Sequence, residues 1–131
     1  MTRRTATHLM FAGEASAALT LYAEIFPSFR VEQIERYGPG GPGPEGTVKL
    51  AEASFAGQTL LVIDSPVKHA FTFTPAMSLF VDCDSREELE AAFAKLSADG
   101  RVLMPLGNYG FSAWFGWCVD RFGVSWQLNL P

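Results

Sequence analysis

The side chains of this chain whose types and spacing suit a reactive or binding site fall into three groups. The first is aromatic. Tyr109, Phe111, Trp114 and Trp117 crowd the stretch GNYGFSAWFGWCVD, and rings grouped in this way make either a stacking wall for a planar or apolar ligand or the closing layer of a core. Gly107, Gly110 and Gly116 interrupt them and permit sharp bends and close backbone approach. The second group is small and polar: Ser78 beside Phe80 in AMSLFVDC, and Ser125 and Gln127 in VSWQLNL. The third is titratable. Glu52 stands inside TVKLAEASF, where a desolvated carboxylate serves as a general base or as a partner for a polar ligand, and an exposed one only discourages strand pairing. His8 and His69 lack converging partners, whereas a metal site needs three or more protein donors. Cys83 and Cys118 form no CxxC pair and have no base placed beside them by any motif, so they read as free, inert thiols.

Composition narrows the partners. A length of 131 residues with 48% apolar content predicts one domain over 1–131. A net charge of −4, with no basic cluster beyond Arg3-Arg4, argues against nucleic acid. No apolar run approaches the roughly 20 residues of a membrane span, and MTRRTATH leads into no signal-length apolar stretch. A soluble, cytoplasmic protein is expected.

The elements that must position these groups come as a repeat. THLMFAG reads as a strand, followed by EASAALTLYAEIF with a helical stripe at Ala18, Leu19, Tyr22 and Ile25. AMSLFVDC is again a strand, followed by SREELEAAFAKLSADG, where Ser85 and Glu88 form a capping box and Gly100 stops the helix. Three β segments come after each helix: FRVEQIERY, TVKLAEASF and QTLLVID, then RVLMPL, FSAWFGWCVD and VSWQLNL. Placing Gly57 on Gly123 superimposes the last strands. Two βαβββ modules, over about 5–65 and 75–131, are therefore expected. The proline-rich loop Tyr37 to Gly46 is no phosphate cradle, since prolines remove N–H donors and no helix comes after it; a mobile hairpin loop or lid is expected.

Alternation assigns faces. Met77, Leu79 and Val81 fall on a helix-facing side, opposite Ala76, Ser78 and Phe80; Val124, Trp126, Leu128 and Leu130 likewise fall opposite Ser125, Gln127 and Asn129. Leu50, Glu52 and Ser54 share one face of their strand.

The tracts FTFTPAMSLFVDC and LMPLGNYGFSAWFGWCVDRFGVSWQL resemble the PhnB-like branch of the vicinal oxygen chelate superfamily, also known as 3-demethylubiquinone-9 3-methyltransferase-like. The resemblance implies an α+β fold of tandem βαβββ modules whose mixed sheets curl into a cup, with frequent dimers and, in metal-dependent members, a divalent ion at the base. The family's ligand positions match Thr7, Leu61, Ala76 and Gln127, of which Gln127 alone is a weak ligand; His8 lies one residue off and is expected on the opposite face. Leu50 stands where family members often carry histidine. The expectation is therefore a small-molecule binding homodimer with no cofactor or ordinary metal site, its ligand lined by Thr7, Glu52, Ser78, Phe80, Tyr109, Phe111, Trp114, Trp117, Ser125 and Gln127. The alternative is a lyase, isomerase or dioxygenase using an altered metal site or Glu52 as base. Methyl transfer finds no Gly-rich strand-turn-helix for a methyl donor.

Overall fold

A computed structural model describes residues Met1–Pro131 as two units of one construction, Met1–Ala70 and Phe71–Pro131. The first contains β1 (Thr7–Phe11), α1 (Ala15–Ile25), β2 (Phe29–Arg36), β3 (Val48–Phe55) and β4 (Gln58–Asp64). The second contains β5 (Ser78–Asp82), α2 (Arg86–Ser97), β6 (Arg101–Gly107), β7 (Trp114–Val119) and β8 (Ser125–Leu130). Their sheets have the orders β1-β4-β3-β2 and β5-β8-β7-β6, and in each the first and last strands pair in parallel while the other neighbours are antiparallel. The fold is α+β, two open four-stranded mixed sheets with one helix apiece, and the βαβββ repeat is present as expected.

Each helix exists because one side of it is apolar. Ala15, Ala18, Leu19 and Tyr22 of α1 are buried, as are Leu9, Phe11, Val48, Ala51, Ala53, Phe55, Leu60 and Val62 of the first sheet. Phe26, Phe29 and Phe55 close one end, with the Phe55 ring centroid 5.1 Å from that of Phe26 and 5.3 Å from that of Phe29. In the second unit Leu89, Ala92, Phe93 and Leu96 of α2 are buried, as are Leu79, Cys118, Trp126 and Leu128. Gly116 is required there: a Cβ would stand 2.6 Å from the Phe93 ring.

The hairpins obey their turn residues. Ala56 and Gly57 have φ of 46° and 89°, the two positive values of a two-residue hairpin loop. Gly123, at φ 96°, completes the turn in which Gly123 N donates to Asp120 O and Asp120 N donates to Val124 O.

Three expectations change. Ala76 and Met77 lie outside β5, and Met77, assigned to the helix side, is 72% exposed. Pairing with the last strand, rather than the distance to a turn, sets the first strand's register: His8 pairs with Leu61, and Phe80 pairs with Gln127. His8 therefore shares the face of Leu61 instead of opposing it, and Phe80, not Ala76, is the equivalent position. The loop expected to be a mobile lid is tied at its neck. Tyr37 N donates to Thr47 O, Gly46 N to Tyr37 O, and Arg36 Nη1 to both Ser16 Oγ and Gly46 O.

The two helix starts are held differently. Ser85 caps α2 by accepting from Glu88 N at 3.1 Å. Glu14 makes no side-chain cap on α1; instead buried Asp64, at the end of β4, accepts from Gly13 N and Ala15 N through Oδ1 and from Val48 N through Oδ2, at 2.8–2.9 Å. A carboxylate at a helix N-terminus is also favoured by the helix dipole. Asp64→Ala orphans these donors and should cost about 3 kcal/mol, read as a lower urea midpoint at unchanged slope, whereas exposed Glu45→Ala should shift stability by less than about 0.5 kcal/mol. Equal midpoints for the two variants would remove Asp64 from this role.

Candidate functional site

One helix covers one face of each four-stranded sheet, and the other face carries no helix. On the second sheet that face carries Ser78, Phe80 and Asp82 from β5, Ser125, Gln127 and Asn129 from β8, and Phe115 and Trp117 from β7, because partners in register share a face. Its middle row runs Phe80, Gln127, Trp117 and Met104.

These side chains are joined. Trp117 Nε1 donates to Ser125 Oγ at 2.8 Å, Ser125 Oγ and Ser78 Oγ share a hydrogen bond of 2.6 Å, and Gln127 Nε2 donates to Ser78 Oγ at 3.2 Å. Ser125 is 1% exposed, so its hydroxyl is fixed by these partners. Such a chain holds each polar group in one orientation before any ligand arrives.

Above that network lies an aromatic patch. Phe115 is buried and touches Phe80, Tyr109 and Phe111 at centroid distances of 6.4, 6.1 and 4.9 Å. Tyr109 and Phe111 stack at 6.3 Å, and the Tyr109 hydroxyl donates to Pro105 O. Asn108 Oδ1 accepts from Gly110 N and shapes the turn that carries the two rings.

Trp114 stands apart from this group. It lies three residues before Trp117 on β7, hence on the helix side, where the Arg86 guanidinium sits 3.6 Å above its ring. Trp126, also on the helix side, is fully buried and donates from Nε1 to Asp120 Oδ2 at 2.9 Å. Asp120 Oδ1 accepts from Phe122 N and Val124 N, so one buried carboxylate holds both the hairpin turn and the indole.

Thr7 and Glu52 belong to the first sheet. Thr7 is in register with buried Leu60, on the helix side, and accepts from Gln58 Nε2. Glu52 shares a row with Leu61, His8 and Gln33 on the open face and pairs with Arg4 at 3.4 Å. β3 is an interior strand, so Glu52 does not protect an edge. His69 Nε2 is 3.0 Å from Ser65 Oγ. No group of three or more His, Cys, Asp or Glu side chains is placed to hold a metal ion; His8 and Glu52 are separated by a whole strand, and the residues present do not form the donor set a divalent cation needs.

Phe115, Asp82, Asp64 and Asp120 escaped sequence reasoning. Extending the alternation that places Ser78 and Phe80 by one more step would have reached Asp82. Asp64 carries no local signal, because its partners are backbone amides of distant segments, whereas the partners of Asp120 lie within six residues of it and the Asp-Arg-Phe-Gly turn could have pointed to it.

Comparison with known proteins bears on this arrangement. A family model described as 3-demethylubiquinone-9 3-methyltransferase matches residues 3–129. A solved structure from Bacillus cereus, titled a putative 3-demethylubiquinone-9 3-methyltransferase, PhnB protein, is 50% identical, with 98% of this chain and 100% of that chain covered and a TM-score of 0.94. Protein YjdN of Escherichia coli is 25% identical over 94% of this chain and 92% of its own length. A glyoxylase/bleomycin resistance protein/dioxygenase domain from Frankia sp., 15% identical, shares the fold at a TM-score of 0.65 over 100% of this chain and 93% of that one.

Neither cysteine suits nucleophilic chemistry. Burial, with Glu88, Asp82 and Asp84 nearby, pushes the Cys83 thiol up to about 12, and burial beside Asp120 pushes Cys118 up to about 12. The thiolate is the reactive form, so a raised value leaves almost none near pH 8. Iodoacetamide near pH 8 should therefore leave both thiols unmodified in the folded protein and alkylate both in urea; rapid labelling of the folded state would contradict this.

Proposed function

From the premise that this chain belongs to the 3-demethylubiquinone-9 3-methyltransferase family, the PhnB-like branch of the glyoxalase/bleomycin resistance/dioxygenase superfamily, we propose that it binds a small molecule on the open face of its second sheet. The observation that carries the reading is the ordered chain Trp117–Ser125–Ser78–Gln127 lying beside exposed Phe80. A few oriented polar groups next to aromatic surface are the usual composition of a small-molecule site. Sites rather than family names carry function, and this site offers stacking and hydrogen bonding without a nucleophile. A Glu52-assisted enzyme is the second reading; it is supported by the shared open face of His8 and Glu52 and by the Arg4 ion pair that orients the carboxylate.

The working form in this proposal is a cytoplasmic homodimer. A reducing compartment suits the free thiols of Cys83 and Cys118. Val31 and Ile34 of the edge strand β2 are 39% and 43% exposed, and a second copy would cover this apolar area. Sedimentation at micromolar concentration should give twice the mass of one chain, and a monomer would contradict it.

The binding test uses the neutral aromatic probe acridine and its fluorescence. The wild-type protein should bind it, and Trp117→Ala should weaken binding at least tenfold while costing about 1–2 kcal/mol of stability, since Trp117 is only half-buried. Trp126→Ala is the contrast. It removes a fully buried indole and its hydrogen bond to Asp120, and should cost about 3–5 kcal/mol. Should Trp117→Ala destabilise as much as Trp126→Ala, or leave probe binding unchanged, the open face is not the site.

A further inference from the structure

We infer that the ligand is a planar organic cation, an aromatic ring system bearing a protonated amine or amidine, held where the aromatic patch of the second sheet meets Asp82. This rests on the binding site proposed above and adds the charge class of its ligand.

The patch is larger and more exposed than a core would leave it. Phe80, Tyr109 and Phe111 are 56%, 41% and 64% exposed and all lean on the single buried ring of Phe115. Contiguous exposed rings of this kind mark binding surfaces. Their faces carry the negative end of the ring quadrupole and attract cations.

The polar groups at the rim have the same sign. Asp82, Asn129 and Phe115 are one row of the sheet. Asn129 Nδ2 donates to Asp82 Oδ1 at 2.8 Å. A carboxylate accepts only, so this bond fixes the amide nitrogen toward Asp82 and leaves Asn129 Oδ1 as an acceptor, and that atom is buried with no partner. Two of the neighbourhood's donors are already engaged, the Tyr109 hydroxyl on Pro105 O and the Trp117 indole on Ser125. The nearby cation, Arg86, is turned to the helix side, over Trp114 and 3.2 Å from Glu90. Asp84, Glu87 and Glu88 add negative charge to the same stretch of chain.

The Asp82 carboxylate and the exposed ring faces thus favour a positive, donor-bearing ring. An anion would meet the Asp82 carboxylate and the negative ring faces, and a neutral ring would stack without gaining from the carboxylate.

The test compares three ligands of one shape at neutral pH by fluorescence titration: cationic aminoacridine, neutral acridine and an anionic acridine carboxylate. Aminoacridine should bind at least tenfold tighter than acridine, and the carboxylate weakest. Asp82→Asn should abolish the preference and leave acridine affinity within twofold, whereas Asp99→Asn, the same charge change at another exposed position, should leave the preference intact. Acridine binding without preference for the cation, or a preference that survives Asp82→Asn, overturns the inference and leaves the binding site standing. Failure of all three ligands to bind overturns the binding site itself.

Discussion

The first and second strands of each unit lie at opposite edges of its sheet, so the chain between them must cross the full width of four strands. Three strand intervals of about 4.8 Å make about 14 Å, and the 11 residues of α1, at about 1.5 Å each, make about 16 Å. The 12 residues of α2 reach slightly further. A single helix therefore suffices to cross the sheet, and in crossing it covers one face and leaves the other without a helix. The burial pattern, the aromatic core and the open face that carries the proposed site all descend from that crossing.

Because the crossing is obligatory, the helix start has to be held against the sheet, and the two units achieve this by different chemistry. In the second unit a local serine does so; in the first, the work falls to a buried aspartate at the far end of the chain segment, which also takes the first amide of β3. Asp120 does comparable work for the β7–β8 turn and for Trp126. In each case a buried carboxylate is tolerated because it accepts several hydrogen bonds from groups that would otherwise be orphaned.

The open faces have diverged while the frameworks stayed alike. The middle row of the first sheet is His8, Leu61, Glu52 and Gln33, and that of the second is Phe80, Gln127, Trp117 and Met104. The first suits charge and proton chemistry; the second suits stacking with a few oriented hydrogen bonds. This division is why the binding proposal settles on the second sheet and the enzymatic alternative on the first.

Much of this was legible in the residues alone. The βαβββ repeat shows in two helical stripes and in the matched glycines Gly57 and Gly123, because turns and helix ends are set by local chemistry. The faces of β8 and the placement of Ser78 and Phe80 opposite Leu79 come from simple alternation, and the same rule applied across Trp114 and Trp117 would have separated them by face. The tertiary structure decided what alternation cannot reach. A parallel pair such as β1 with β4 has no turn to fix its register, so only the packed sheet shows that His8 meets Leu61 and that Phe80, not Ala76, meets Gln127. Likewise, the Asp82–Asn129 bond spans 47 residues of sequence and the hold of Asp64 on α1 spans 49, and contacts between segments so distant exist only once the sheet has brought them together.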